Sequence, residues 1–174
     1  LLDMNRLQTG SVKPLERPAV LEEVVQRAIA GLPAGRVVNQ VGENLPVINT
    51  DPALLERILA NIVENAVRQP SAGVPVRIDA GEISEPYRHI DIRIVDQGPG
   101  VPEEDRASMF EPFLRPGDHK QSAAGGVGLG LAVAAGLAKL ISASIDVEDT
   151  PGGGLTMVVS VRLTSPDQLT SERD

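Results

Sequence analysis

The sequence predicts a two-layer α/β sandwich, a mixed sheet of about five strands with three helices on one of its faces. Three observations carry this. Apolar residues recur at three- and four-residue spacing in three separate stretches, and they alternate or cluster in five or more short stretches. Glycine- and proline-bearing turns separate these stretches, and helices and strands follow one another in mixed order.

Residues 1–7 read as the end of a helix that begins upstream, stopping near Thr9 and Gly10. The chain opens on Leu rather than Met and is read as a piece of something longer. Pro14 and Pro18 flank a short extended segment suited to a sheet edge. Leu21, Val24, Val25, Ala28 and Ile29 follow helical spacing, and Gly31 ends that helix. Residues 36–41 and 46–49 read as short strands around an Asn/Gly turn. In residues 51–69, Asp51 can cap a helix and Pro52 suits its first position, where a missing N–H costs nothing. Leu55, Ile58, Leu59, Ile62 and Ala66 form its core face, and the helix stops before Pro70. Residues 74–80 and 90–95 are half-buried strands, and 101–109 make a helical turn with Glu103, Glu104 and Asp105 at its positive end. Residues 114–125 are polar, glycine-bearing and aperiodic, a loop of the length that often carries function. A helix follows with Leu129, Ala132, Val133, Gly136, Leu137 and Leu140 on its buried face. Strands at 144–148 and 155–162 are joined by a Pro-Gly-Gly-Gly hairpin turn. The polar stretch 165–174 is a frayed tail.

Composition narrows the functional classes. With 41% hydrophobic residues but only 2% aromatics, the core must be built from Leu, Ile, Val and Ala. There is no cysteine, so disulfides and thiolate metal sites are excluded. No apolar run approaches the roughly 18 residues of a membrane span, and no signal peptide is visible. The net charge of −8 argues against nucleic-acid binding, which needs a basic surface. An acidic chain that takes a phosphate ligand needs a local device: a helix N-terminus, a glycine nest or a divalent cation.

Three motifs stand out. Asn61, Asn65 and Arg68 lie at i, i+4 and i+7, a stripe of two amides and a guanidinium beside the core face; a solvated helix face would look the same. Asp96 ends an apolar strand and precedes Gly98 and Gly100. A carboxylate there can accept from an adenine 6-amino group, whereas guanine would oppose it with an oxygen; a plain turn has the same pattern. Gly126, Gly128 and Gly130 open a helix and could present backbone N–H groups to phosphate oxygens, or serve as a hinge. Their spacing matches neither the dinucleotide fingerprint nor the Walker A loop.

In combination the segments are far more specific. A helix with paired Asn, then DQGPG, FEPF, GVGLGLA and PGGGLT, resembles the ATP-binding catalytic domain of sensor histidine kinases in the GHKL superfamily, whose fold is the Bergerat type. Residues 61–66 resemble its N box, 96–100 and 126–132 its glycine boxes, and 110–113 its F box. The subfamily it most resembles is the potassium-responsive KdpD-type kinases. The resemblance divides the chain into 1–11, the end of the second dimerisation helix and a linker; 12–164, the catalytic domain; and 165–174, the tail.

The resemblance implies roles for individual residues. Asn65 ligates Mg²⁺, with Asn61 helping to hold metal and phosphates, since neutral amide oxygens suit a hard cation that keeps several waters. Arg68 reaches the phosphates. Asp96 reads adenine, while Gly98 and Gly100 let the backbone approach the base. Gly126, Gly128, Leu129 and Gly130 wrap the phosphates beneath a lid at 114–125, and Thr156 bonds toward the base through water. Gln69 departs from the pattern, standing where relatives often carry an aromatic or His that packs on adenine; the lid also lacks the common basic-aromatic pattern.

The implied activity is histidine protein kinase, with ATP and Mg²⁺ bound here. The nucleophile is a histidine on the absent dimerisation domain, and a response-regulator aspartate is the final acceptor. Two alternatives stay open: a nucleotide-binding regulatory module without transfer, and an ATPase of the same superfamily. Asn61 cannot take a proton from water, which disfavours hydrolysis, and Glu64 is the nearest carboxylate that could act as base or polariser. His89 and His119 are expected to be exposed and not phosphoacceptors. The implied setting is a cytoplasmic domain of a membrane-anchored homodimeric kinase, monomeric as this fragment, with no membrane or nucleic-acid contact of its own.

Overall fold

In this computed structural model, residues 13–69, 73–112 and 129–163 are described. The segments expected at 1–7, 114–125 and 165–174 fall outside them, as do Phe113, Gly126 and Gly128.

The helix expected at 51–69 organises the rest. This helix, α2 (Pro52–Arg68), follows β1 (Arg17–Ala19), α1 (Leu21–Ile29), β2 (Val37–Asn39) and β3 (Ile48–Thr50). Asp51 caps it as expected: its Oδ1 accepts from the backbone N–H of Ala53 (3.0 Å) and Leu54 (3.1 Å), with Pro52 at the first position. The same carboxylate uses Oδ2 to accept from Leu15 N–H at 2.8 Å, tying the start of the described chain to the helix. Leu55, Ile58, Leu59, Ile62 and Ala66 are buried, the stripe that the spacing predicted, and Val63 is buried beside them.

After α2 come β4 (Val76–Ile83), β5 (His89–Val95), the short α3 (Glu103–Arg106), a 3₁₀ turn (Ala107–Phe110), α4 (Gly130–Leu140), β6 (Ser144–Asp149) and β7 (Leu155–Arg162). Five strands form one mixed sheet in the order β2-β4-β5-β7-β6. The β2–β4 pair is parallel and the other three pairs are antiparallel. The register aligns Ile78, Ile94 and Met157 in one row, and Ile92 and Val159 in another. All five are buried and face the helix layer, in which α1 and α4 both pack on α2. The two-layer α/β class is as expected, with the single-turn α3 as an additional helix.

Two expectations are corrected. The strands at 36–41 and 46–49 do not pair with each other: β2 joins the main sheet, while β3 pairs with β1 in a separate two-stranded ribbon. The reason is burial, since Ile48 and Thr50 turn inward beside Ala19. His89 is buried rather than exposed. Its Nδ1 lies 2.8 Å from Tyr87 O and its Nε2 3.2 Å from Asp91 Oδ1, and Ser160 Oγ donates to the same carboxylate oxygen at 2.6 Å. The alternating pattern placed His89 at a strand start but could not show that Tyr87 folds over it, with ring centroids 5.1 Å apart.

No helix among the described residues is long and apolar enough to cross a membrane. Because Asp51 satisfies three backbone N–H groups, Asp51→Ala should cost about 1–3 kcal/mol of stability, more than an ordinary exposed cap. Urea denaturation should show the midpoint falling.

Candidate functional site

Asp96 leaves the end of β5 as the second strand from it, β7, begins. Its backbone N–H donates to Leu155 O at 2.9 Å. Its side chain is 5% exposed, and its Oδ1 accepts from Gly98 N–H at 2.8 Å and from Leu155 N–H at 3.2 Å. A buried carboxylate needs such donors. Both fall on Oδ1, and the described residues give Oδ2 no donor. A fixed acceptor is thus left open in a buried setting.

The glycines around Asp96 are required by space as well as conformation. Gly154 has φ +110°, and a Cβ there would meet Asp96 O at 2.1 Å and Gln97 Cα at 2.7 Å. No side chain fits where these two backbones cross. Gly100 has φ +72°, and a Cβ on it would stand 3.3 Å from Gly154 O. At Gly98 a Cβ would lie 3.0 Å from Gln69 Cβ and 3.1 Å from Asp96 Oδ1. The end of α2 is therefore packed against the DQGPG turn.

The other end of the amide stripe meets α4. Asn61 is half-buried, its Nδ2 donates to Arg57 O at 2.9 Å, and its Oδ1 would be 3.3 Å from a Cβ on Gly130. Gly130 is the first residue of α4, and Leu129 before it supplies no side-chain cap, so among the described residues the helix's first N–H groups have no side-chain partner. Asn65, one turn beyond Asn61, is half-buried and its side chain makes no hydrogen bond among the described residues. The eight residue-to-residue steps from Asn61 to Gln69 span about 12 Å along the helix axis. The structure thus sets a carboxylate pocket and a helix N-terminus at opposite ends of one line of amides. Neutral amide oxygens at Asn61 and Asn65 fit a hard cation that retains waters.

Arg68 and Thr156 have partners of their own. Arg68 and Glu64 form an exposed i,i+4 ion pair at 3.3 Å, so each has the other as partner. Thr156 is buried opposite Val95, with its hydroxyl 2.9 Å from that of Thr150; no hydrogen bond among the described residues joins it to Asp96. Gly126 and Gly128 lie outside the described residues. The expected set did not include Leu155 and Gly154, which fix Asp96 through backbone alone. The run Gly152-Gly153-Gly154 was their only signal, and it does not say which glycine crosses Asp96.

The sequence pattern of the histidine kinase-, DNA gyrase B-, and HSP90-like ATPase family matches residues 50–165, and the chain belongs to that family. Among relatives, it is 42% identical over 171 residues to the sensor protein KdpD of Mycobacterium tuberculosis, covering 92% of this chain and 19% of that one. To the sensor protein KdpD of Escherichia coli it is 35% identical over 175 residues, covering 99% of this chain and again 19% of the relative. The chain therefore spans about a fifth of the length of these relatives. Full-length ShkA in complex with AMPPNP shares the fold, with TM-score 0.78, 24% identity, and coverage of 94% of this chain and 35% of that one. So does the catalytic domain of histidine kinase ThkA, with TM-score 0.68, 18% identity, and coverage of 85% and 95%. The domain is of the ATP-binding type found in sensor histidine kinases.

The crossing at Gly154 separates conformational from steric cost. Gly152 also has positive φ, +90°, but open space around it. Gly152→Ala should cost about 1–2 kcal/mol and Gly154→Ala roughly twice that or more. Thermal melts of the two variants compare them directly.

Proposed function

We propose that this domain holds Mg-ATP with its adenine against Asp96 and its phosphates toward Asn61, Asn65 and Gly130. In the longer kinase it presents the γ-phosphoryl group to a histidine of the dimerisation domain. The imidazole nitrogen forms a bond to phosphorus as the bond to the β,γ-bridging oxygen breaks, and ADP leaves; the phosphoryl group then passes to a response-regulator aspartate. The observation that carries this reading is the buried Asp96 carboxylate, with Oδ1 locked by two backbone N–H groups and Oδ2 open to a 6-amino group.

Phosphoryl transfer requires positioning and charge neutralisation more than covalent chemistry. Asn65, with Asn61 beside it, would hold Mg²⁺, which when bound offsets the phosphate charge against a protein of net charge −8. The N–H groups at the start of α4 add the helix dipole at the same end. The family resemblance assigns phosphate binding to Gly126 and Gly128 as well, and Arg68 reaches the phosphates when its pair with Glu64 opens. Thr156 bonds toward the base through water, while Gly98 and Gly100 admit the base to the backbone. Two features favour transfer over hydrolysis. Asn61 cannot act as a base, and Glu64, the candidate base nearest it, is engaged by Arg68.

Residues 1–11 are assigned to the second dimerisation helix and its linker, 12–164 to the catalytic domain and 165–174 to a tail. The whole protein acts as a homodimer anchored in the membrane, with this domain on the cytoplasmic side; the likeness to KdpD supports a role in potassium or osmotic signalling.

Calorimetric titration with ATP, ADP and GTP, with and without Mg²⁺, tests the site. Asp96→Asn should weaken ATP binding about tenfold or more, a loss of roughly 1.4 kcal/mol or above. Asn65→Ala should remove most of the Mg²⁺ dependence. Parent-like binding by both variants would displace the site. The isolated chain with Mg-ATP should acquire no acid-labile phosphate, whereas a dimerisation domain supplied in trans should. Binding without transfer would indicate a regulatory module, and steady phosphate release an ATPase.

A further inference from the structure

Beside Asp96 stands a side chain whose hydrogen-bonding groups no other described residue uses. Gln69 follows the last residue of α2, and its backbone N–H donates to Ala66 O at 3.1 Å. Its Cβ and Cγ stand 3.0 and 3.7 Å from the point where Gly98 would carry a Cβ, a point 3.1 Å from Asp96 Oδ1. Gln69 Cβ is therefore within about 6 Å of the carboxylate, and two further bonds carry its amide outward. The residue is half-buried, and its amide makes no hydrogen bond among the described residues. Asp96 Oδ2, its neighbour, is also without a donor there. Two partly enclosed polar groups left open within one turn's width of each other can form a recognition surface, because each loses water without gaining a protein partner.

We infer that Gln69 is a specificity-determining residue that reads the purine edge together with Asp96. A carboxylate offers only acceptors, so Asp96 can take one hydrogen of a 6-amino group but cannot address a ring nitrogen. A carboxamide offers a donor and an acceptor side by side. Its oxygen takes the second amino hydrogen while its N–H₂ donates to the adjoining ring nitrogen, the bidentate match between Gln and adenine. The pair thus covers both amino hydrogens and one ring nitrogen. The short stem packed on Gly98 limits the rotamers open to the amide, so less freedom is lost on binding. This inference rests on the site reading above and adds a second reader of the base.

The test pairs ligand and protein changes. ATP, 7-deaza-ATP and 1-deaza-ATP, each with Mg²⁺, are titrated into the parent, Gln69→Leu and Gln69→Glu. The Glu variant keeps the stem over Gly98 but removes the N–H₂ donor, so it reports on the bond rather than on packing. The parent should bind one deaza analogue about three- to tenfold more weakly than ATP, and that ratio should collapse toward one in both variants. A parent that binds all three ligands equally, or variants that keep the parent's ratio, would overturn the role of Gln69 while leaving the Asp96 site standing. A parent that binds no ATP at all would overturn the site and this inference together.

Discussion

The crossing of two backbones beside Asp96 is the constraint on which the rest of the site depends. At the end of β5 the chain passes so close to Gly154 that no β-carbon could stand between them. That approach brings Leu155 N–H to the carboxylate and Leu155 O to the Asp96 amide. The carboxylate is thereby oriented by backbone, which has no rotamers to lose, rather than by another side chain. A functional group held this way keeps its direction without closing off its second oxygen. The antiparallel pairing of β5 with β7, buried along the Ile94–Met157 and Ile92–Val159 rows, holds the crossing in place.

The helix α2 has a second, complementary role. Its buried stripe fills the space between the sheet and the helices α1 and α4, so the helix cannot rotate without exposing Ile58, Leu59 and Ile62. With rotation fixed, the polar stripe one step around the cylinder is fixed too. Asn61 then meets the start of α4 while Gln69 meets the turn after β5. Core packing at one set of positions thus fixes the direction of polar groups at another, which is how a helix built on apolar burial can serve recognition with precision.

The distribution of paired and unpaired polar groups supports the same view. On the sheet and its edges, charged side chains have found partners: Arg77 with Asp79, Arg93 with Glu148, Arg106 with Asp149, and Asp91 with both His89 and Ser160. Exposed pairs of this kind contribute little individually, but they leave few charges free on the sheet's outer side. At the site the pattern reverses, with Asp96 Oδ2, Asn65 and the Gln69 amide open among the described residues. An acidic chain that bound an anion in the proposed way would need this economy, with neutral amides and backbone N–H groups toward the phosphates and the buried Asp96 carboxylate at the far end.

The local chemistry of this chain was legible without coordinates. Asp51 and Pro52 announce a helix start because capping and the proline ring act within a few residues, and the spacing of Leu55 to Ala66 reports burial directly. The Asp96 turn and the glycine at the start of α4 were readable for the same reason. Tertiary structure decided what depends on contacts distant in sequence. It sent β2 and β3 to different sheets and brought Ser160, from β7, to the Asp91 carboxylate that also meets His89. It also chose Gly154 from three consecutive glycines as the one that must pass beneath Asp96, and set Gln69 against Gly98. Residue type and spacing specify what a segment can do alone; which free group faces which is settled only when segments some 30 to 60 residues apart pack into the same few ångströms.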